Sequence, residues 1–221
     1  MDNSQSQWLE AIRRMTATPQ EAAAYLDRRL SFTTAVAELL SHTDPILDRL
    51  VYGVWLEGHD DPIYIGQTTE GRRRLWDLPI GESHHLANSF PPEIWSRVVV
   101  VYWGKILAEK PELLTTSLDS AMGLGLEFLL QSRIQPLFNR RKKRRDGAWR
   151  EVRWIDSNSL GAKTAPSLGP LLEELMLVWK ALATISCSDQ AKVEQPFGRV
   201  VFPSMLLRSR SKSDEATDAA R

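Results

Sequence analysis

The hydrophobic positions of the chain change period along its length. Over residues 8 to 15, Trp8, Leu9, Ile12 and Met15 recur at helical spacing and predict a short helix. Thr18-Pro19 with Glu21 is a helix start, with Thr18 as N-cap and Pro19 at the first helical position. That helix is expected to reach about Leu30, and a third runs from about Phe32 to Ser41, before Asp44-Pro45. Residues 1–48 carry no recognisable chemistry and read as a helical prefix, a surface on which a protein partner could dock.

At Leu50 the pattern becomes that of strands. Val51 to Leu56 and Ile63 to Gly66 are rich in β-branched and aromatic residues, and the turn-rich link Gly58 to Pro62 has the length of a hairpin connection. Gly71 to Leu78 predicts a short helix stopped by Pro79, and Ser83 to Pro92 a loop. Val98 to Trp103 is an unbroken apolar run, which suits a buried central strand. Ser117 is the expected N-cap of a long helix bearing Leu118, Met122, Leu126, Leu129 and Ile134 and stopping at Pro136. Trp149 to Ile155 alternates weakly and is expected to be a fourth, edge strand; Leu168 to Ile185 is a helix, and residues 208–221 a disordered tail. Strands followed by helices indicate an α+β fold: a small, mainly antiparallel sheet of three to four strands flanked by helices. The expected division is a prefix over 1–48, a central domain over 49–155, a helical extension over 156–207 and the tail.

Composition narrows the classes. The single Cys187 excludes an internal disulfide framework, and four histidines with no Cys-x-x-Cys argue against structural zinc. Met1 to Gln7 has no apolar core, so no signal peptide is expected. Leu171 to Ile185 is interrupted by Glu173, Glu174 and Lys180, too short and too charged to span a bilayer. These features predict a soluble, intracellular protein of the cytoplasm with no membrane partner. The net charge of zero argues against a broadly basic coat for polyanions, but it is uneven. Residues 1–48 hold four basic and seven acidic side chains, residues 49–155 sixteen and thirteen, and the remainder eight of each. The basic excess sits in Arg140, Arg141, Lys142, Lys143, Arg144 and Arg145. Such a run suits a solvated face, a nuclear address or a phosphate-binding strip.

Four features stand in a suggestive order: Gly53-Val-Trp55 followed by Tyr64-Ile-Gly66, then Arg74, then Glu127, then Pro136-Leu-Phe-Asn139. In this order the chain resembles the GIY-YIG endonuclease superfamily, which includes the N-terminal nuclease module of a bacterial excinuclease and several homing and restriction endonucleases. The similarity spans about residues 49 to 140. It implies a DNA endonuclease in which Glu127 holds a single Mg²⁺ or Mn²⁺, Arg74 clamps the phosphate, Tyr64 acts on the attacking water and Asn139 ties the helix end to the site. Gly66 completes the second tripeptide. The chain departs from the family at two places: Trp55 stands where the first tripeptide ends in tyrosine, and Leu78 where a His or Tyr is usual. Tyr52, His84 and His85 are the substitutes at hand, with His85 as general base or leaving-group acid. Arg72, Arg73 and the run from Arg140 to Arg145 are the expected DNA contacts. The alternative is an impaired module of the same fold that binds nucleic acid or protein without cutting. Each residue also has a plainer use: Tyr64 as a cross-strand aromatic, Arg74 as one of three surface cations, Glu127 as a solvated acid beside a core stripe, Asn139 as a turn residue.

Overall fold

The computed structural model describes residues 18–81, 86–114, 121–143, 148–187 and 189–207. Thr18 opens the first helix as expected, its Oγ1 accepting from the Glu21 N–H at 3.2 Å. This helix, α1 (Pro19–Leu40), is continuous, so the two helices expected over this stretch are one. At the junction the Ser31 and Thr33 hydroxyls are accommodated inside the helix, Ser31 Oγ donating to the Asp27 carbonyl at 2.8 Å and Thr33 Oγ1 to that of Arg29 at 3.1 Å. The helix expected over residues 8–15, the N-cap at Ser117 and the tail over 208–221 lie outside the described residues.

The hairpin forms as expected. Strand β1 (Leu50–Leu56) pairs antiparallel with β2 (Tyr64–Thr68), Tyr52 opposite Gly66 and Val54 opposite Tyr64. The helix after it, α2 (Gly71–Ile80), runs through Pro79 and ends at Gly81, which takes a left-handed φ of 86° and donates its N–H to the Asp77 carbonyl at 2.8 Å. The stop expected at Pro79 is not seen: the helix runs one residue past it, to Ile80. The expected loop over 83–92 contains a short helix, α3 (Leu86–Ser89). The valine run is the central strand β3 (Trp95–Val101), and Val98 to Val101 are fully buried. Trp103, expected in that strand, opens α4 (Trp103–Glu109) instead. Then follow α5 (Met122–Ile134), α6 (Leu160–Thr164) and α7 (Gly169–Ala183).

The edge strand expected at Trp149 to Ile155 does not join the main sheet. Instead β4 (Arg141–Lys143) and β5 (Trp149–Glu151) form a separate two-stranded ribbon. Their sequences, Arg-Lys-Lys and Trp-Arg-Glu, offer no continuous apolar face to set against a core. The main sheet is antiparallel throughout within an α+β fold, but it has five strands rather than three to four. Its last two are β6 (Lys192–Gln195) and β7 (Gly198–Val201), in the segment expected to be only helical, and the order is β2-β1-β3-β7-β6. All four residues of β7 are buried.

Alternation along β1 and β3 divides the core into two layers. Tyr52, Val54, Val98 and Val100 face α1 and α2 and pack with Phe32, Val36, Leu75 and Leu78. Val51, Trp55, Val99 and Val101 face α5 and α7 and pack with Leu126, Leu130, Leu175 and Trp179. The two ends of the described chain are tied together by Arg199 on β7, which is 4% exposed. Its guanidinium donates to the Leu39, Leu40 and Ser41 carbonyls at 3.2, 3.3 and 2.8 Å, satisfying the end of α1. Among the described residues no helix is long and apolar enough to cross a membrane.

Candidate functional site

The site gathers around the outer edge of β2. An edge strand presents unpaired backbone groups, and here they are met by side chains. The N–H of fully buried Ile65 donates to Asn139 Oδ1 at 2.8 Å, and its carbonyl accepts from Asn139 Nδ2 at 3.1 Å. Asn139 thus acts as a one-residue surrogate strand. The neighbouring Phe138 N–H donates to the Ile63 carbonyl at 2.8 Å. The Ile65 carbonyl also accepts from Gln131 Nε2 at 2.9 Å, and the same nitrogen donates to Glu127 Oε1 at 2.8 Å. Glu127 lies one turn before Gln131 on α5 and is half-buried. Gln131 therefore fixes the carboxylate by locking it to the sheet.

On the face towards α2, Tyr52 and Tyr64 lie side by side with ring centroids 6.0 Å apart. Gly66, opposite Tyr52, makes this approach fit: a Cβ there would lie 2.7 Å from Tyr52 Oη and 2.9 Å from Tyr64 Cε1. Their hydroxyls are hydrogen-bonded to each other. Burial is the main cause that pushes both phenols above their ordinary range; the negative charge of Glu127 pushes the same way, and the positive charge of Arg74 opposes it. Glu127, from the helix on the other side of the sheet, and Arg74, from α2, thus act on one pair of hydroxyls. Phe138 packs edge-on against Tyr64 at 6.2 Å and Phe90 against Phe138 at 5.4 Å, closing the site behind the rings.

Tyr64, Glu127, Gln131 and Asn139 line a cleft of about 380 Å³ that continues towards Phe128 and Trp154, with Arg141 on its wall. Arg74 lines a smaller hollow of about 100 Å³ with Thr68 and Asp77. It is the half-buried member of its triplet; Arg72 and Arg73 are exposed, and Arg73 pairs with Glu70 and Asp77.

Of the residues expected from the sequence, Tyr52, Tyr64, Gly66, Arg74, Glu127 and Asn139 come together. Trp55 does not. Three residues from Tyr52 on the same strand, it points to the opposite face, where its Nε1 donates to the Asp60 carbonyl at 3.0 Å and its ring lies 5.6 Å from Trp179. Leu78 is fully buried core. Arg140 is exposed and donates to Gln135 Oε1 at 2.9 Å, and Lys142 and Lys143 lie in β4. His84, His85, Arg144 and Arg145 lie outside the described residues. Sequence reasoning gave Gln131 no role and did not pair Phe128 with Trp154, although Trp154 stood out as an aromatic beside the basic run, for core packing or for stacking on a base. The signal for Gln131 was its place one helical turn after Glu127.

Comparisons of the chain with protein-family models, with curated proteins and with solved structures return no match. Its function therefore has to be argued from the site.

Proposed function

We propose that the protein is a metal-dependent DNA endonuclease of the GIY-YIG kind, hydrolysing phosphodiester bonds at the β2 edge. The observation that carries this reading is that Tyr64, Glu127, Gln131 and Asn139 line one cleft, with Tyr52 beside Tyr64 and the charge of Arg74, from the neighbouring hollow, acting on the same two hydroxyls. Glu127 fits a single Mg²⁺ or Mn²⁺: its carboxylate lines the cleft, and Gln131 holds its orientation. One protein ligand suffices for an ion that keeps most of its waters and takes a further oxygen from the substrate. Among the described residues no group of three His, Cys, Asp or Glu side chains comes together, so the fit is to this single carboxylate and not to an all-protein cage. Bound there, the ion supplies positive charge to the phosphate and leaving oxygens.

The side chains divide the remaining work. Arg74 balances phosphate charge with a guanidinium that geometry makes suitable for two parallel hydrogen bonds. Tyr64 sits where it can orient the attacking water. Its pKa, raised mainly by burial and further by the charge of Glu127, keeps it protonated, so its hydroxyl orients the water rather than taking its proton. The hydrogen bond with Tyr52 partly opposes that rise. This tyrosine pair supports a competent site over an impaired module: Tyr52 stands where the signature, aligned on Trp55, lacks a tyrosine. In this reading the protein acts in the cytoplasm and holds DNA by its phosphate backbone through Arg72, Arg73 and the cations from Arg140 onward.

The test is cleavage of supercoiled, branched and mismatched DNA with Mg²⁺ or Mn²⁺, with Glu127→Ala as control. Metal-dependent nicking that Glu127→Ala abolishes is expected. No cleavage on any substrate, or full cleavage by Glu127→Ala, overturns the proposal.

A further inference from the structure

The cleft does not end at the cluster around Glu127. Beyond it, its wall is made by Phe128, the residue after Glu127, and by Trp154 on the segment that follows β5. The two rings meet edge to face, centroids 6.0 Å apart and planes at 67°, and both are half-buried rather than sealed in the core. A second hollow, beside Gln135 and Ile155, shares the same pair in its lining. The aromatic pair thus borders two hollows. Cations and acids alternate around it: Arg141 lines the cleft, Arg140 and Arg150 are exposed on the ribbon strands and their approach, Glu151 stands opposite Arg141, and Asp156 pairs with Arg153.

A polyanion meeting Arg141 with its phosphates and a flat ring meeting Trp154 with its face is a nucleotide whose base has left its stack. A base inside a duplex has both faces covered and presents only its edges, so it cannot use such a wall. The cleft volume of about 380 Å³ lies in the usual range of roughly 300–1,000 Å³ for a small organic group. We infer that the Phe128–Trp154 wall is a stacking subsite for an unpaired base beside the scissile phosphate. The inference rests on the nuclease reading, since it places the phosphate at Glu127. It makes the substrate DNA with a local unpaired nucleotide, such as a bulge, flap or branch, in preference to a perfect duplex.

The experiment is a binding cycle without metal, in EDTA, so that no strand is cut. Wild-type protein and Trp154→Ala are titrated with a duplex carrying a one-nucleotide bulge and with the same duplex carrying an abasic bulge. On the base-containing bulge Trp154→Ala is expected to weaken binding roughly tenfold, within the range for stacking on an aromatic side chain. On the abasic bulge that loss should vanish, and Trp154→Phe should restore most of the affinity. Equal weakening on both DNAs, no weakening on either, or no binding of either DNA by wild-type protein overturns the subsite. The two readings separate cleanly. Cleavage that survives with an indifferent Trp154→Ala removes the subsite and leaves the nuclease. A base-dependent cycle without cleavage under any metal keeps the subsite and removes the nuclease.

Discussion

Replacing Asn139 and Gln131, singly and together, measures how the site is tied to the sheet. Ile65 is fully buried, so water does not replace a lost partner at its backbone without rearrangement. Asn139 gives that backbone an acceptor at 2.8 Å and a donor at 3.1 Å, and Gln131 gives the same carbonyl a second donor at 2.9 Å. In Asn139→Ala the carbonyl keeps Gln131 but the N–H is orphaned. An unsatisfied buried group costs about 1–3 kcal/mol, so about 2 kcal/mol is expected. In Gln131→Ala the carbonyl keeps Asn139; one ordinary bond and one bond to the Glu127 carboxylate are lost, together about 2–4 kcal/mol. In the double variant the carbonyl has no partner left. The combined loss should therefore exceed the sum of the single losses by about 1–2 kcal/mol. Urea unfolding followed by far-ultraviolet circular dichroism reads this, with unchanged m slopes as the condition for interpreting midpoint shifts as stability. Additivity within about 0.5 kcal/mol refutes the shared-acceptor argument, as does an Asn139→Ala variant as stable as wild type.

Two further predictions concern the tyrosines. Tyr52→Phe removes the hydrogen bond between the two tyrosines and should slow cleavage about tenfold in a protein of unchanged circular dichroism, whereas Trp55→Phe should lower stability by about 1–3 kcal/mol and leave the cleavage rate of the folded protein intact; cleavage kinetics beside urea titrations check this, and the reverse pattern would return the site to Trp55. Burial raises the pKa of Tyr52, Tyr64 and Tyr102 in the folded protein, so above about pH 10 the unfolded chain binds fewer protons than the folded one, and stability should fall as pH rises, by at most about 1.4 kcal/mol per pH unit for each fully buried phenol. Phenolate absorbance should then appear together with unfolding, and early titration of these three groups in the folded state would contradict their assigned burial.

The fold was legible where local pattern and tertiary demand agree. The valine run from Val98 to Val101 had to be central, because only a strand covered on both faces can bury every residue, and it is. The Thr18 cap and the β1–β2 hairpin were legible for the same reason. The last two strands were not. Lys192 to Gln195 is charged and half-exposed, an edge strand that draws its place from β7, and β7 is only four residues long. Such short pieces hold no period of their own, and they are strands because β3 has a free edge to pair with. The ribbon at Arg141 and Trp149 failed in the opposite direction: an alternation was present, but it had no apolar side to bury.

Most residues of the candidate site stood out in the sequence, but strand parity sets the alignment at Gly53-Val-Trp55 against the face on which Tyr64 lies. Side chains on a strand alternate faces, so residues an odd number apart look opposite ways. Tyr64 stands opposite Val54, and Gly66 opposite Tyr52, so the face that carries Tyr64 also carries positions 50, 52 and 54 of β1. Trp55 is odd to all of them and is thereby excluded, whereas Tyr52 is included and is met by a residue without a side chain. A signature matched letter by letter at Gly53-Val-Trp55 makes the chain look as if it had lost a tyrosine. Matched by face, it retains the pair. The same rule explains why Glu127 had to come from a different element: the other face of β2 is occupied by α5, and only at an uncovered edge can a side chain from one layer meet hydroxyls from the other. An edge strand is thus the place in this fold where residues from both layers combine, and the side-chain amides of Asn139 and Gln131 keep that edge paired while leaving the cleft beside it open.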